Sequence, residues 1–214
     1  ALARAQQAVA TDPLSSWERE MLGRIRELLG DHESAITAYE AALFWRPGSA
    51  KLHQRLGTAH LVVAEQSSDN DRRGDAYARA VNHFEAALRL QSASALGERA
   101  AAHYALGKAF QSAEQYDRAL PHFRNSMALQ EARPLAQLML GESCIRIRRY
   151  DAAEDMLTDA IAGAEQAAET DPDAPIGNGL EDGWTAVAVA ATAHRLLALS
   201  LIERDVRRDE AREH

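Results

Sequence analysis

SWEREMLGRIRELLGDHESAITAYEAALFWRPGS, residues 16–49, is the stretch whose reading decides the fold. Its landmarks are the pair Leu22-Gly23, the turn residue Gly30, then Ala35, Tyr39 and Ala42, and a closing Pro47. The same landmarks return, with losses, at Leu56-Gly57, Ala80, Phe84 and Ala87; at Leu106-Gly107, Ala119 and Phe123; and at Leu140-Gly141, Ala153, Leu157 and Ala160. The base period is 34 residues, the spacing of stacked helical units. Within each unit two segments carry apolar residues at steps of three and four, the period of an amphipathic helix. The glycine of the first segment admits a close partner, two alanines flank a ring on the second, Gly30 stops a helix and Pro47 delays the next one.

This pattern resembles the tetratricopeptide repeat, a helix-turn-helix unit that stacks into a solenoid. The fold class expected is all-α, a right-handed solenoid of antiparallel hairpins forming a single domain over residues 1–214. Residues 1–15 read as the second half of a truncated repeat. Full repeats follow at 16–49, 50–94, 95–133 and 134–168, then a loop at 169–183 and a helix with a truncated repeat at 184–214. In that last segment Leu196-Leu197-Ala198 and Leu201 read as a first helix and Arg204–Ala211 as the start of a second. The expectation is a piece of a longer array with a raw helical face at each end.

Two breaks interrupt the register. Between Gly57 and Ala80 the second repeat is eleven residues longer than its neighbours, and the extra stretch, Glu65–Asp75, is polar and turn-rich. It predicts a hairpin with longer arms. A shift of five residues before the third repeat predicts that Ala93–Arg99 prolongs its first helix. The second break, Glu169–Gly183, is acidic and carries two prolines and three glycines, which reads as a loop with Trp184 opening the next helix.

Composition narrows the function. A formal charge of −8 argues against nonspecific binding to nucleic acid or anionic membrane. No leader is evident, and no apolar run is expected to reach the length of a membrane span. The single cysteine, Cys144, excludes an intramolecular disulfide, leaves the compartment open and occupies a core position of the repeat.

Chemistry is sought and not found. Eight histidines suggest metal, but His53 and His103 share one repeat position, His194 falls there in one register, and His83 and His122 share another. None has a ligand at metal spacing on its own helix, so packing or surface roles are expected. His60 replaces a large core side chain and is expected to be hydrogen-bonded in the interior. Asp69-Asn70-Asp71-Arg72-Arg73-Gly74 starts like a calcium loop, yet its twelfth place is Ala80 and not a bidentate glutamate. Asp171, Asp173, Glu181 and Asp182 lack the turn glycine at the needed offset. No nucleophile elbow, phosphate loop, dinucleotide fingerprint or zinc-protease motif occurs, so the expectation is a non-catalytic chain without metal or cofactor.

The resemblance implies a concave groove lined by the first helices. Positions two, five, nine and twelve of each lie roughly 140° around the helix from the small-residue stripe. They read Trp17, Glu20, Arg24 and Glu27; Lys51, Gln54, Thr58 and Leu61; Ala101, Tyr104, Lys108 and Gln111; Leu135, Leu138, Glu142 and Ile145, with Arg55 and Arg146 alongside. Cationic and aromatic side chains interleave over the first three repeats, which suits a peptide with carboxylates, and the fourth is aliphatic. Lys51 and Arg55 are similar to the basic pair with which some members clamp a terminal carboxylate, although Met21 replaces one asparagine of that clamp.

The function expected is an interaction scaffold holding a protein or peptide segment, with an acidic ligand near Arg24, Lys51, Arg55 and Lys108. Two alternatives stand beside it. One is a regulatory or substrate-recruiting arm of a larger enzyme, such as a glycosyltransferase or hydrolase. The other is self-association, as a homodimer through the terminal helices or through the long second hairpin.

Overall fold

The computed structural model describes residues 1–11, 15–93, 95–129, 134–171 and 184–213, with backbone only at 8, 9 and 208–213. From residue 172 onward the acidic stretch 169–183 lies outside the described residues. Ten α-helices account for the described secondary structure: α1 Leu2–Thr11, α2 Ser16–Leu28, α3 His32–Trp45, α4 Ala50–Gln66, α5 Asn70–Leu90, α6 Leu96–Ser112, α7 Tyr116–Leu129, α8 Pro134–Arg146, α9 Tyr150–Thr170 and α10 Ala186–Glu213. The fold is an all-α helical repeat. Contacts divide the chain into two compact units, Ala1–Ala95 and Leu96–His214, where the sequence reading counts one domain.

Helix starts in the first unit are written in short polar side chains. Ser15, Asp31, Ser49 and Asp69 are N-caps, and their oxygens accept hydrogen bonds from the backbone N–H groups of Glu18, Ser34, Leu52 and the Asp71–Arg72 pair. The first hairpin turns at Gly30, whose φ of 76° lets Asp31 N–H reach the Arg26 carbonyl at 2.9 Å and Gly30 N–H reach that of Glu27 at 3.0 Å. The second unit makes the same turn twice without glycine. Glu114 at φ 59° and Arg148 at φ 65° take the left-handed place, while Gln115 and Arg149 close 2.8 Å bonds to Phe110 and Cys144. A side chain there costs about 1–2 kcal/mol, less the entropy a glycine would lose. Glu114→Gly and Arg148→Gly are each expected to stabilise the protein by about 0.5 kcal/mol, read as a raised urea midpoint at unchanged slope.

The hairpins close on the small-residue stripe. A Cβ placed on Gly23 would sit 2.5 Å from the Tyr39 ring, on Gly57 2.6 Å from Phe84, on Gly107 2.6 Å from Phe123 and on Gly141 2.7 Å from Leu157. Tyr39, Phe84, Phe123 and Leu157 are all fully buried, as are the alanines Ala35, Ala42, Ala80, Ala87, Ala119, Ala153 and Ala160. Where the third repeat has Ser126 in place of the second alanine, its hydroxyl donates to the Ala100 carbonyl at 2.9 Å, so the polar atom is satisfied inside the core. In the first unit each helix packs on the next; in the second, α8 also touches α6 and α10, so its first helices lie side by side.

Several expectations are corrected. The long second hairpin is present, with α4 running to Gln66 and α5 starting at Asn70, but α6 starts at Leu96, and neither Ala93 nor Ala95 prolongs it. The segment 184–214 is not a helix followed by the start of another. α10 continues unbroken for 28 residues, because no glycine or proline interrupts a run rich in alanine, leucine and arginine. Its window Ala186–Arg207 is long and apolar enough to cross a membrane by length and composition, contrary to the expectation that no run reaches that length. Its buried residues Ala186, Val189, Ala193 and Ser200 form one face, and Arg204 reaches Glu154 on α9 at 2.5 Å, as in a packed repeat helix.

Candidate functional site

In the first unit the expected groove residues meet internal partners. Glu20 is 4% exposed, and its carboxylate takes the Arg46 guanidinium at 2.5 Å, with Arg55 at 3.9 Å and Lys51 at 4.0 Å. Glu27 accepts the Tyr39 hydroxyl at 2.6 Å and Arg55 Nη1 at 3.3 Å. Burial, then the Glu27 carboxylate, pushes the Tyr39 phenol well above its ordinary range. Five charged side chains and a phenol thus tie α2 to α3 and α4. Arg24, Gln54 and Thr58 are half-buried, and the Thr58 hydroxyl is turned back onto the Gln54 carbonyl. Trp17 is 59% exposed, at the end of the hairpin where Phe44 and Trp45 also face solvent.

In the second unit Tyr104 is buried, its ring 5.8 Å from that of Phe123, while Lys108 and Gln111 on the same helix are half-buried. Leu135, Leu138 and Ile145 are core residues: the lateral contacts of α8 with α6 and α10 close over positions that an isolated hairpin would leave open. Three expected site residues come together across that contact. Gln111 Nε2 donates to Glu142 Oε2 at 3.1 Å, and Arg146 stands 3.8 Å from the other carboxylate oxygen.

Beside Glu142 and Arg146 opens a cleft of about 500 Å³. Ile145 and Tyr150 form one wall, and Leu196, Leu199, Ile202 and Val206 of α10 the other. Ile202 is 61% exposed, Val206 52% and Leu199 43%, an i, i+3, i+7 stripe left facing solvent. Arg148, Glu203 and Arg207 complete the rim, with the Arg207 guanidinium 5.9 Å from the Tyr150 ring centre. The sequence reading missed this α10 stripe, since the repeat register slips there.

Cys144 is buried as expected, and burial pushes its thiol up. Among the described residues no three or more histidine, cysteine, aspartate or glutamate side chains are grouped to hold a metal ion.

The repeat geometry agrees with two independent matches. Profiles of the tetratricopeptide repeat match residues 20–48 and 102–135, the α2–α3 hairpin and the α6–α7 hairpin with its exit. These two hairpins are tetratricopeptide repeats. Its fold is similar to the crystal structure of MamA, at 18% identity and a TM-score of 0.68 over 78% of this chain and 89% of that one. It is also similar to YrrB, described as a tetratricopeptide-repeat protein with an unusual peptide-binding site, at 17% identity and a TM-score of 0.60 over 96% of this chain and all of that one. PilW, a widely conserved type IV pilus biogenesis factor, shares 18% identity at a TM-score of 0.62 over 92% of this chain and 81% of that one. Among the curated proteins none matches this repeat chain in sequence.

Proposed function

We propose that this tetratricopeptide-repeat chain is a non-catalytic interaction scaffold that holds a protein segment in the α8–α10 cleft of its second unit. The observation that carries the reading is the solvent-facing stripe Leu199, Ile202 and Val206 opposite Ile145 and Tyr150, in a cleft of about 500 Å³ with charged residues at its rim. Apolar side chains of a partner would gain by leaving water there, and the rim would orient them. Arg146, Arg148 and Arg207 outnumber Glu142 and Glu203, so carboxylates flanking the apolar anchors suit the segment. The likeness to YrrB, described as having a peptide-binding site, supports a peptide ligand in general terms.

An acidic ligand near Arg24, Lys51 and Arg55 has a harder case in the first unit. Glu20 and Glu27 already meet the Arg55 guanidinium, so an incoming carboxylate would compete with two that belong to the chain.

Ile202→Glu tests the reading. It places a charge among the apolar anchors, and retention of the partner is expected to fall by about tenfold or more, with the far-ultraviolet helical signal unchanged. Capture equal to that of the wild type would sink the proposal. Loss only in an Arg24→Glu/Arg55→Glu/Lys108→Glu variant would return the weight to the expected cationic residues. Dissociation of a homodimer by Ile202→Glu would reassign the cleft to self-association.

A further inference from the structure

Two hairpins carry a histidine bridge that the scaffold reading leaves unused. His53 on α4 and His83 on α5 face each other with Nδ1 atoms 3.0 Å apart; His103 on α6 and His122 on α7 do the same at 3.1 Å. The ring centres lie 5.3 and 5.4 Å apart, longer than the N···N distance by about two ring radii. Each nitrogen pair therefore lies along the line joining its rings. A single shared proton fits that line, whereas a chelated metal needs the two lone pairs to converge on a point beside it.

The bridges sit beside the tightest contacts of their hairpins, because His83 precedes Phe84 and His122 precedes Phe123. A ring from the first helix backs each one. His60 stacks on His83 with centres 5.6 Å apart and planes 7° apart, and Phe110, its counterpart in the third repeat, lies 5.4 Å from His122. His60 is 6% exposed and its Nε2 has no hydrogen-bond partner, which corrects the expectation of a hydrogen-bonded interior histidine.

The charges that act on these rings are cationic. Arg79 of α5 faces His60 and His83, and Arg89 of α5 faces His53. Arg99 of α6 faces His103, and Arg118 of α7 faces His122. The turn between α3 and α4 contributes only the Pro47 carbonyl, which accepts a hydrogen bond from His53. No carboxylate is among the charges that shift these rings.

We propose that the two bridges are acid-sensitive latches, which hold α4 to α5 and α6 to α7 with one shared proton each and release them when a second proton arrives. Two facing N–H groups cannot hydrogen-bond, and two like charges at 3 Å repel within a half-buried, arginine-flanked site. Desolvation is the largest influence on all five rings and holds His60, His83 and His103 down to about 4, with His53 and His122 also below the ordinary 6.5. A histidine lowered on folding stabilises fully above the unfolded value, and that contribution is lost as pH falls from 6.5 toward 4. The hairpins α2–α3 and α8–α9 are internal controls, since Arg19 and Ala38, or Gln137 and Met156, occupy the same positions there.

The test is urea denaturation of the wild type and His53→Gln/His103→Gln from pH 7.5 to 4.5, together with 15N spectra of the histidine rings. At pH 7.5 each pair is expected to show one protonated and one bare Nδ1. Between pH 7 and 5 the folded-to-unfolded ratio of the wild type should fall roughly tenfold more than that of the variant, a figure below the full linkage value because the rings are only half-buried. Equal losses, or no protonated Nδ1 in either pair, overturn the proposal. Should the variant not fold, the wild type decides by its amide spectra on acidification. Changes that begin in α4–α5 and α6–α7 while α8–α9 stays unchanged support the latches; simultaneous change in all three hairpins removes them.

Discussion

Phe123→Ala should cost about 3–5 kcal/mol, among the largest losses any single side chain of this protein can cause. The ring is fully buried, it lies against Gly107, and Tyr104 stands 5.8 Å from it, so truncation empties the centre of the α6–α7 hairpin. Neighbouring atoms cannot collapse into the space, because the facing residue is already glycine. The fourth repeat indicates the milder change: Leu157 occupies the same position against Gly141, so Phe123→Leu should cost no more than about 1.5 kcal/mol. From the opposite side, Gly107→Ala puts a methyl 2.6 Å from the ring and should cost about 1–3 kcal/mol by overpacking. Urea denaturation with hydrogen exchange resolves the three, and the loss of protection should start in α6 and α7. A cost under about 1 kcal/mol for Phe123→Ala would mean that the stripe does not carry the packing assigned to it.

That stripe was legible in the sequence because repetition multiplies a weak signal. One glycine ahead of one aromatic says little, but Gly23 with Tyr39, Gly107 with Phe123 and Gly141 with Leu157 repeat one spacing, Gly57 with Phe84 repeats it with the insertion added, and a hairpin is the packing that meets it. The loop insertion was legible for the same reason, as a departure from a fixed period. Where the register slipped, legibility failed. The repeat register divides α10 because an alanine arrives one residue late, although backbone propensity simply continues the helix. Its stripe Leu199, Ile202 and Val206 was overlooked with it.

Site residues were harder for a different reason. Helical phase says which residues share a face of their own helix and nothing about how closely the next first helix approaches. In the second unit that approach converts Leu135, Leu138 and Tyr104 from groove to core, while it brings Gln111, Glu142 and Arg146 together. The histidine bridges had a readable trace, the shared positions of His53 with His103 and of His83 with His122. Ligand spacing along a single helix does not show them, because the partners lie across the hairpin.

Glu20→Ala should cost about 2–3 kcal/mol, for reasons that separate a structural carboxylate from a binding one. Glu20 is nearly inaccessible and meets Arg46 at 2.5 Å, with Arg55 and Lys51 at the edge of contact. Removing it strands the Arg55 guanidinium, 24% exposed, with Glu27 alone. The expected loss stays below the 3–5 kcal/mol of a fully buried pair because the Arg46 side chain is 41% exposed and water can take over its solvation. Glu20→Gln keeps the size and an acceptor oxygen, so it should lose about half as much. If Glu20 instead served a partner, both variants would weaken capture and leave the urea midpoint where it was. If it serves as the internal counter-ion, the midpoint falls, and the freed Arg55 and Lys51 gain affinity for an added acidic peptide that Ile202→Glu does not abolish. Measuring midpoint and peptide affinity on the same two variants therefore distinguishes a chain that fills its own cationic face from one that keeps it open for a ligand.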